Sequence, residues 1–255
     1  MRENRTKRIM SSGGLALGVS LTVADPFVAE VVGAAGFDFV LIDTEHGPIA
    51  IDQLQLMLIA LRGSVSTVLV RPPANDHVSI KRILDLGAEG IVVPEVSSRD
   101  ECAAAIRAAK YPPEGIRGFG PRRASRLEGG RQAYLTRAND EVAVFVMIEH
   151  QDALANLDQI LTTPGLDGIV VGPADLAVSM GHILEPGHAD VEKAIEQVFE
   201  ACERHGCPFG IYAAAEASAR KWVGRGAKLV TVGSDIQFVD QGLARARDLV
   251  TSLKG

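Results

Sequence analysis

The chain has 255 residues, with 26 Lys or Arg against 32 Asp or Glu, a formal charge of −6. Apolar residues make up 47 % and charged residues 23 %, values that exclude disorder and a coiled coil. The acidic balance argues against a nucleic-acid partner, because phosphate binding needs concentrated positive charge.

The first element needs a decision. Met1 to Arg8 is basic and Gly13 to Ala24 is mostly apolar, a pattern shared with the start of a signal peptide. Removing Gly13–Ala24 would cost the fold one strand of a repeating set, so residues 15–20 are predicted to be the first strand and 1–12 a disordered or peripheral tail. A short pattern then recurs. Gly33-Ala-Ala-Gly precedes Phe39-Val-Leu-Ile-Asp43, Gly87-Ala-Glu-Gly precedes Ile91-Val-Val-Pro94, Gly165-Leu-Asp-Gly precedes Ile169-Val-Val-Gly172, and Gly226-Ala-Lys precedes Leu229-Val-Thr-Val-Gly233. In each, glycine ends a helix and a β-branched apolar run follows. Strands are predicted near 15–20, 38–43, 67–71, 90–94, 142–149, 167–172, 208–212 and 229–233. Helical stripes lie between them: Ala50–Arg62, Val78–Leu86, Asp100–Ala109, Val191–His205 and Asp235–Leu253. Runs apolar on both faces suit a parallel sheet covered by helices. Eight alternating units in a chain of this length predict an α/β fold of the (β/α)₈ TIM-barrel kind, as one domain spanning 1–255. A doubly wound open sheet fits less well, because no Gly-x-Gly-x-x-Gly follows the first strand.

Tyr111 to Asn139 interrupts the alternation with Arg117, Arg122, Arg123, Arg126 and Arg131. A connection this long reads as a lid, a binding loop or an interface element, on or close to the active-site side. Cys102, Cys202 and Cys207 form neither a disulfide framework nor a CxxC pair, and predict reduced thiols in a cytoplasmic protein. No run is apolar and long enough to span a bilayer, so no membrane partner is expected.

In such a barrel the active site lies at the carboxyl ends of the strands. Those ends carry Asp43-Thr-Glu45-His46, Arg71-Pro-Pro, Pro94-Glu95, Glu149-His150, Gly172-Pro173-Ala174-Asp175, Tyr212 and Gly233-Ser-Asp235. Glu149 and Asp175 could be a buried pair or helix caps. They equally suit an oxygen-ligated Mg²⁺ or Mn²⁺, since no cation lies beside either in sequence. His46, flanked by two acids, reads as a surface residue or as a positioned base. Arg71 reads as a rim ion pair or as the fixed charge that steadies an enolate. A helix start at Gly172–Ala174 offers N–H groups to a carboxylate. His182 and His188, with His150 and His205, read as solvent-facing or structural.

Five motifs together carry a resemblance: Asp43-Thr-Glu-His46-Gly-Pro, Val70-Arg71-Pro, Lys110-Tyr-Pro-Pro-Glu-Gly-Ile-Arg-Gly118, Met147-Ile-Glu149 and Gly172-Pro-Ala-Asp175-Leu. In this order, from about Gly18 to Asp235, they resemble the HpcH/HpaI aldolases, the metal-dependent (class II) pyruvate aldolases. The resemblance implies retro-aldol cleavage of a 4-hydroxy-2-oxo acid to pyruvate and an aldehyde, in sugar-acid or aromatic catabolism. It implies Glu149 and Asp175 as ligands of Mg²⁺, Mn²⁺ or Co²⁺, with Zn²⁺ a further candidate. It implies that Arg71 contacts the keto oxygen, and that His46 is a base working through a water on the metal with Asp43 in support. Asp85 would assist that histidine across a subunit contact. Gly172, Pro173 and Ala174 would hold the pyruvate carboxylate. Met147, where some relatives have Gln, and Tyr212 would line the substrate. Arg122 and Arg123 would sit near a partner's site, in a hexamer of dimers that swap the last helix. A CoA-thioester lyase and a non-catalytic 2-oxo-acid-binding barrel are the alternatives. The arginine loop could serve the first with phosphate contacts.

Overall fold

Eight apolar runs pair in parallel, each with the next in sequence and the last with the first, so no strand edge is left open. The strands are β1 (Ala16–Leu21), β2 (Phe39–Asp43), β3 (Thr67–Arg71), β4 (Gly90–Val93), β5 (Ala143–Ile148), β6 (Gly168–Val171), β7 (Phe209–Tyr212) and β8 (Leu229–Ser234). The computed structural model describes residues 1–254. Around the barrel lie α1 (Arg5–Ser11), α2 (Pro26–Ala34), α3 (Ile51–Ala60), α4 (His77–Asp85), α5 (Arg99–Ala109), α6 (Arg122–Leu127) and α7 (Arg131–Glu141). They are followed by α8 (Gln151–Leu154), α9 (Leu157–Leu161), α10 (Pro173–Ser179), α11 (Ala189–His205), α12 (Glu216–Arg225) and α13 (Asp235–Lys254). No described helix is long and apolar enough to cross a membrane.

The core has two parts. Phe39, Leu41, Leu69, Val92, Ala143, Phe145, Met147, Val170 and Leu229 fill the barrel, while Val40, Ile42, Val68, Val70, Val144, Val146 and Ile169 pack outward against the helices. This alternation positions the site. Inward residues recur every second position, so a strand that buries Phe39 and Leu41 inside also turns Asp43 inward at its end. The same parity carries Arg71 after Leu69, Glu149 after Met147, and Gly172 after Val170.

The amino-terminal segment corrects one expectation. Residues 1–12 are neither disordered nor peripheral, because α1 closes the amino-terminal end of the barrel. Met10 is 7 % exposed and joins the inner core. Asn4 Nδ2 donates to the carbonyls of Glu89 and Glu141, both at 2.9 Å, and the Thr6 amide donates to Thr67 Oγ1 at 3.0 Å. These partners are far away in sequence, so a local reading could not find them.

The arginine segment corrects another. It is not one loop, because α6 and α7 lie within it. It also sits at the opposite end from the mouth, since α5 descends from the carboxyl end of β4 and the connection must return to the start of β5. Arg123 donates to the carbonyls of Leu58 and Leu86. Arg117 is buried between Tyr111 and Tyr134, and its Nη2 meets Asp85 Oδ1 at 2.9 Å. Asp85, at the end of α4, therefore lies away from its own chain's mouth. Phosphate contacts from these arginines at that mouth are removed with them.

Helix α13 begins with the buried carboxylate of Asp235. It accepts hydrogen bonds from the amides of Thr22 and Val23 and from Thr22 Oγ1, at 2.8–3.1 Å. Beyond that anchor the helix is exposed, with Leu243, Leu249 and Leu253 on its surface.

Candidate active site

The mouth encloses a cavity of about 200 Å³ lined by Asp43, Arg71, Met147, Gly172, Pro173, Ala174, Asp175 and Tyr212, with Ser20, Thr22, Thr231 and Ser234. Strand alternation delivers Arg71 here, and Asp43 on the neighbouring strand holds it. Arg71 Nε donates to Asp43 Oδ1 at 2.9 Å and Nη2 to Oδ2 at 2.6 Å, a two-point grip that fixes the plane of the guanidinium. Burial works against the Arg71 charge, but the bonds to Asp43 and the nearby acids more than offset it and raise its pKa. Arg71 Nη1 also reaches Met147 Sδ at 3.6 Å. Met147 thus contacts the guanidinium that Asp43 holds.

Asp43 does not meet the His46 ring. Its Oδ1 accepts from the backbone amides of Glu45 and His46 at 3.0 and 3.3 Å, so it shapes the turn that presents the histidine. The Glu45 carboxylate lies beside the imidazole. Its Oε2 lies 3.7 Å from His46 Nε2 and 2.9 Å from Arg71 Nη1. The second contact is an ion pair without hydrogen-bond alignment, which leaves this buried oxygen without an aligned donor. Burial raises the Glu45 pKa, opposed by Arg71 and His46. Adjacency to His46 was the only sequence signal for this role. The His46 side chain is itself 63 % exposed at the rim.

Glu149 is 6 % exposed at the end of β5. Its Oε1 accepts the Glu95 amide at 2.6 Å, and Glu95 adopts a left-handed φ of 55° at the β4 end. Burial pushes the Glu149 pKa up to about 7; the Glu95 amide opposes the rise, and the charges of Glu45 and Asp175 add to it. Among the described residues, no Lys, Arg or His side chain pairs with this carboxylate. A Cβ added at Gly172 would stand 3.0 Å from Glu149 Oε2, so only glycine leaves that space clear. Gly172 also caps α10, whose first turn holds Pro173, Ala174 and Asp175. Ala174 and Asp175, which carry the first N–H groups of that turn, line the same cavity. Tyr212 completes the wall, its hydroxyl donating to Gln237 Oε1 at 3.2 Å.

Of the residues singled out in the sequence, Asp43, Arg71, Met147, Glu149, Gly172, Pro173, Ala174, Asp175 and Tyr212 converge within one chain, with His46 at the rim. Asp85, Arg122 and Arg123 do not. Glu45 and the Glu95 amide complete the set.

The family model described as HpcH/HpaI aldolase/citrate lyase matches residues 17–241. A 5-keto-4-deoxy-D-glucarate aldolase from Salmonella arizonae is 39 % identical over 96 % of each chain. Its namesake from Escherichia coli is 40 % identical over 91 % of each. Among solved structures, an HpcH/HpaI aldolase/citrate lyase family protein from Burkholderia cenocepacia superposes with a TM-score of 0.91 at 33 % identity, covering 98 % of both chains. Matched along nearly its whole length in sequence and in backbone, the chain belongs to the HpcH/HpaI aldolase/citrate lyase family.

Proposed function

We propose that the chain is a carbon–carbon lyase, a metal-dependent aldolase that reversibly cleaves a 4-hydroxy-2-oxo acid to pyruvate and an aldehyde. The observation that carries this reading is the buried Glu149 carboxylate, paired with no basic side chain among the described residues, beside Asp175, a helix start and a rigidly held Arg71. Two carboxylates in a site of oxygen donors fit a hard divalent cation such as Mg²⁺, Mn²⁺ or Co²⁺. The raised pKa of Glu149 agrees, because a cation there relieves the cost of its burial. Held by Glu149 and Asp175, that cation would polarise the 2-oxo group.

The remaining chemistry belongs to the chain. The free amides of Ala174 and Asp175, in the first turn of α10, bind and orient the carboxylate of the 2-oxo acid. In cleavage, His46 receives the C4 hydroxyl proton, the C3–C4 bond breaks, and its electron pair enters the enolate of pyruvate. Arg71, its fork fixed by Asp43, faces the enolate oxygen and stabilises the charge that develops there. Protonation at C3 then gives pyruvate. Glu45 keeps the imidazole and the guanidinium in register. The named relatives suggest a sugar diacid as substrate, 5-keto-4-deoxy-D-glucarate, whose cleavage leaves a carboxylate on the aldehyde product as well.

The same reading extends to assembly. A homo-oligomer, a trimer of dimers that exchange α13, is supported by the apolar residues Leu243, Leu249 and Leu253 on that helix. In it Asp85 assists His46 of a neighbouring subunit, and Arg122 or Arg123 lies near a partner's site. A cytoplasmic setting agrees with three unpaired cysteines.

The test is pyruvate release from 5-keto-4-deoxy-D-glucarate by purified protein, before and after chelation. Activity lost with chelator and restored by Mg²⁺, Mn²⁺ or Co²⁺ is the expected result. Full turnover in protein shown by elemental analysis to be metal-free would overturn the metal reading. Absence of pyruvate from any 4-hydroxy-2-oxo acid would overturn the activity.

A further inference from the structure

One group of ligating side chains plays no part in the aldol chemistry. Residues 180–188 join α10 to α11 on the mouth side of the barrel, and this connection brings together His182, His188 and Asp190. Asp190 Oδ2 is the hub, 3.6 Å from His182 Nε2 and 3.7 Å from His188 Nδ1. One ligand atom from each of the three residues lies within 4.8 Å of the others. The backbone holds the connection in place. The His182 amide donates to Ala177 O at 2.8 Å, Glu185 to His182 O at 3.1 Å, and His188 to Glu185 O at 2.9 Å. The two imidazoles stack with centroids 3.6 Å apart and planes 16° apart, which keeps both rings on one side of the loop. Among the described residues only Lys193 brings a competing positive charge, its Nζ 3.6 Å from Asp190 Oδ1.

We propose that His182, His188 and Asp190 form a second cation site, separate from Glu149 and Asp175, that takes a borderline divalent metal such as Zn²⁺ or Cu²⁺. Two imidazoles and one carboxylate select such metals, whereas an all-oxygen pair selects Mg²⁺ or Mn²⁺. Bonds of about 2.0–2.1 Å at tetrahedral angles require ligand atoms roughly 3.3 Å apart, so the three groups draw in slightly and the rings turn out of their stack. Water fills the fourth position. The metal then ties the end of α10 to the start of α11, bracing the helix that carries Asp175. The competing reading is purely structural. His188 Nδ1 accepts the Asp190 amide at 3.2 Å and so caps α11 without any metal.

The experiment uses untagged full-length protein, equilibrium dialysis against Zn²⁺ and elemental analysis. The double variant His182→Asn/His188→Asn removes both imidazoles, and Asn at 188 keeps an acceptor for the cap. It is expected to bind one Zn²⁺ per chain fewer than the parent, with unchanged melting in metal-free buffer and none of the parent's rise in melting temperature on adding Zn²⁺. Cu²⁺ electron paramagnetic resonance gives a second readout. Nitrogen splitting should be present in the parent and in Glu149→Gln/Asp175→Asn, and absent in the histidine variant. Loss of Zn²⁺ in the acid variant but not in the histidine variant would overturn the second site. So would nitrogen splitting that survives without His182 and His188. A failed aldolase reading leaves both tests intact, because neither depends on turnover of a 2-oxo acid.

Discussion

Asp43→Asn tests whether Arg71 works as a held fork or merely as a nearby charge. The substitution keeps the shape but puts an amide where one carboxylate oxygen now accepts Arg71 Nε at 2.9 Å or Nη2 at 2.6 Å. One donor must then face another. Removing one partner of a buried ion pair costs ~3–5 kcal/mol, and the remaining Glu45 contact lowers this to about 2 kcal/mol. For a domain of this size that loss corresponds to a melting shift of roughly 4–8 °C. Turnover should suffer more. Loss of a positioned donor at a developing oxyanion lowers kcat about 10²–10³-fold, and Asp43→Asn should approach that although Arg71 is still present. Pyruvate release, followed through lactate dehydrogenase, measures the full reaction. Exchange of pyruvate methyl protons into deuterated water measures enolate formation alone, and both should fall together. Arg71→Lys keeps the charge and loses the fork. The double variant should then be little worse than either single one. Single-variant losses that add to within about 0.5 kcal/mol in the double would show that Asp43 and Arg71 act independently, and would refute the grip.

Glu149 gives a pH signature in metal-free protein. Folded Glu149 keeps its proton up to about 7, against an ordinary 4.5, so between these values the folded state binds more protons and stability falls as pH rises. The full loss is about 3 kcal/mol, and Glu149→Gln should flatten the melting-temperature profile over that window; an unchanged slope would reject the assignment. Met10→Ala should cost ~2–5 kcal/mol by urea denaturation, with the KM for the 2-oxo acid unchanged; a loss under about 1 kcal/mol would mean that α1 is a loose cover. Neutralising Arg122 and Arg123 together should raise the KM for acidic aldehydes more than for neutral ones, with the difference shrinking as salt is added; equal changes would separate the pair from the partner's site.

The barrel was legible because each parallel strand is one continuous apolar run, four of them introduced by the recurring glycine pattern. All eight predicted strands match the observed ones to within a residue or two. The inward set at the mouth was legible for the same reason, since strand-end position and period-two alternation name Asp43, Arg71, Glu149 and Gly172 together. What a linear reading missed is pairing across the sheet. Asp43 and Arg71 are 28 residues apart, and the Glu95 amide is 54 from Glu149. Asp43 was therefore given to the neighbouring histidine instead of the adjacent strand. Helix α1 was missed because its sequence, RTKRIMS, is polar, and its burial comes from partners far along the chain. A long irregular connection suggests a place near the mouth for the arginines, whereas the direction of α5 sends them to the other end.

The Asp235 carboxylate fastens the turn after the first strand to the start of the last helix, two segments 213 residues apart. That contact and the β1–β8 pairing close the cylinder, and neither can form until the eighth strand has left the ribosome. Until then β1 can pair only with β2, and its other edge remains open to any extended segment nearby. Closure over so long a span also carries the largest loop entropy in the molecule, which makes it a slow step. The first strand to be synthesised is thus among the last to be covered, and the nascent barrel is most open to misassembly along the seam that Asp235 eventually locks.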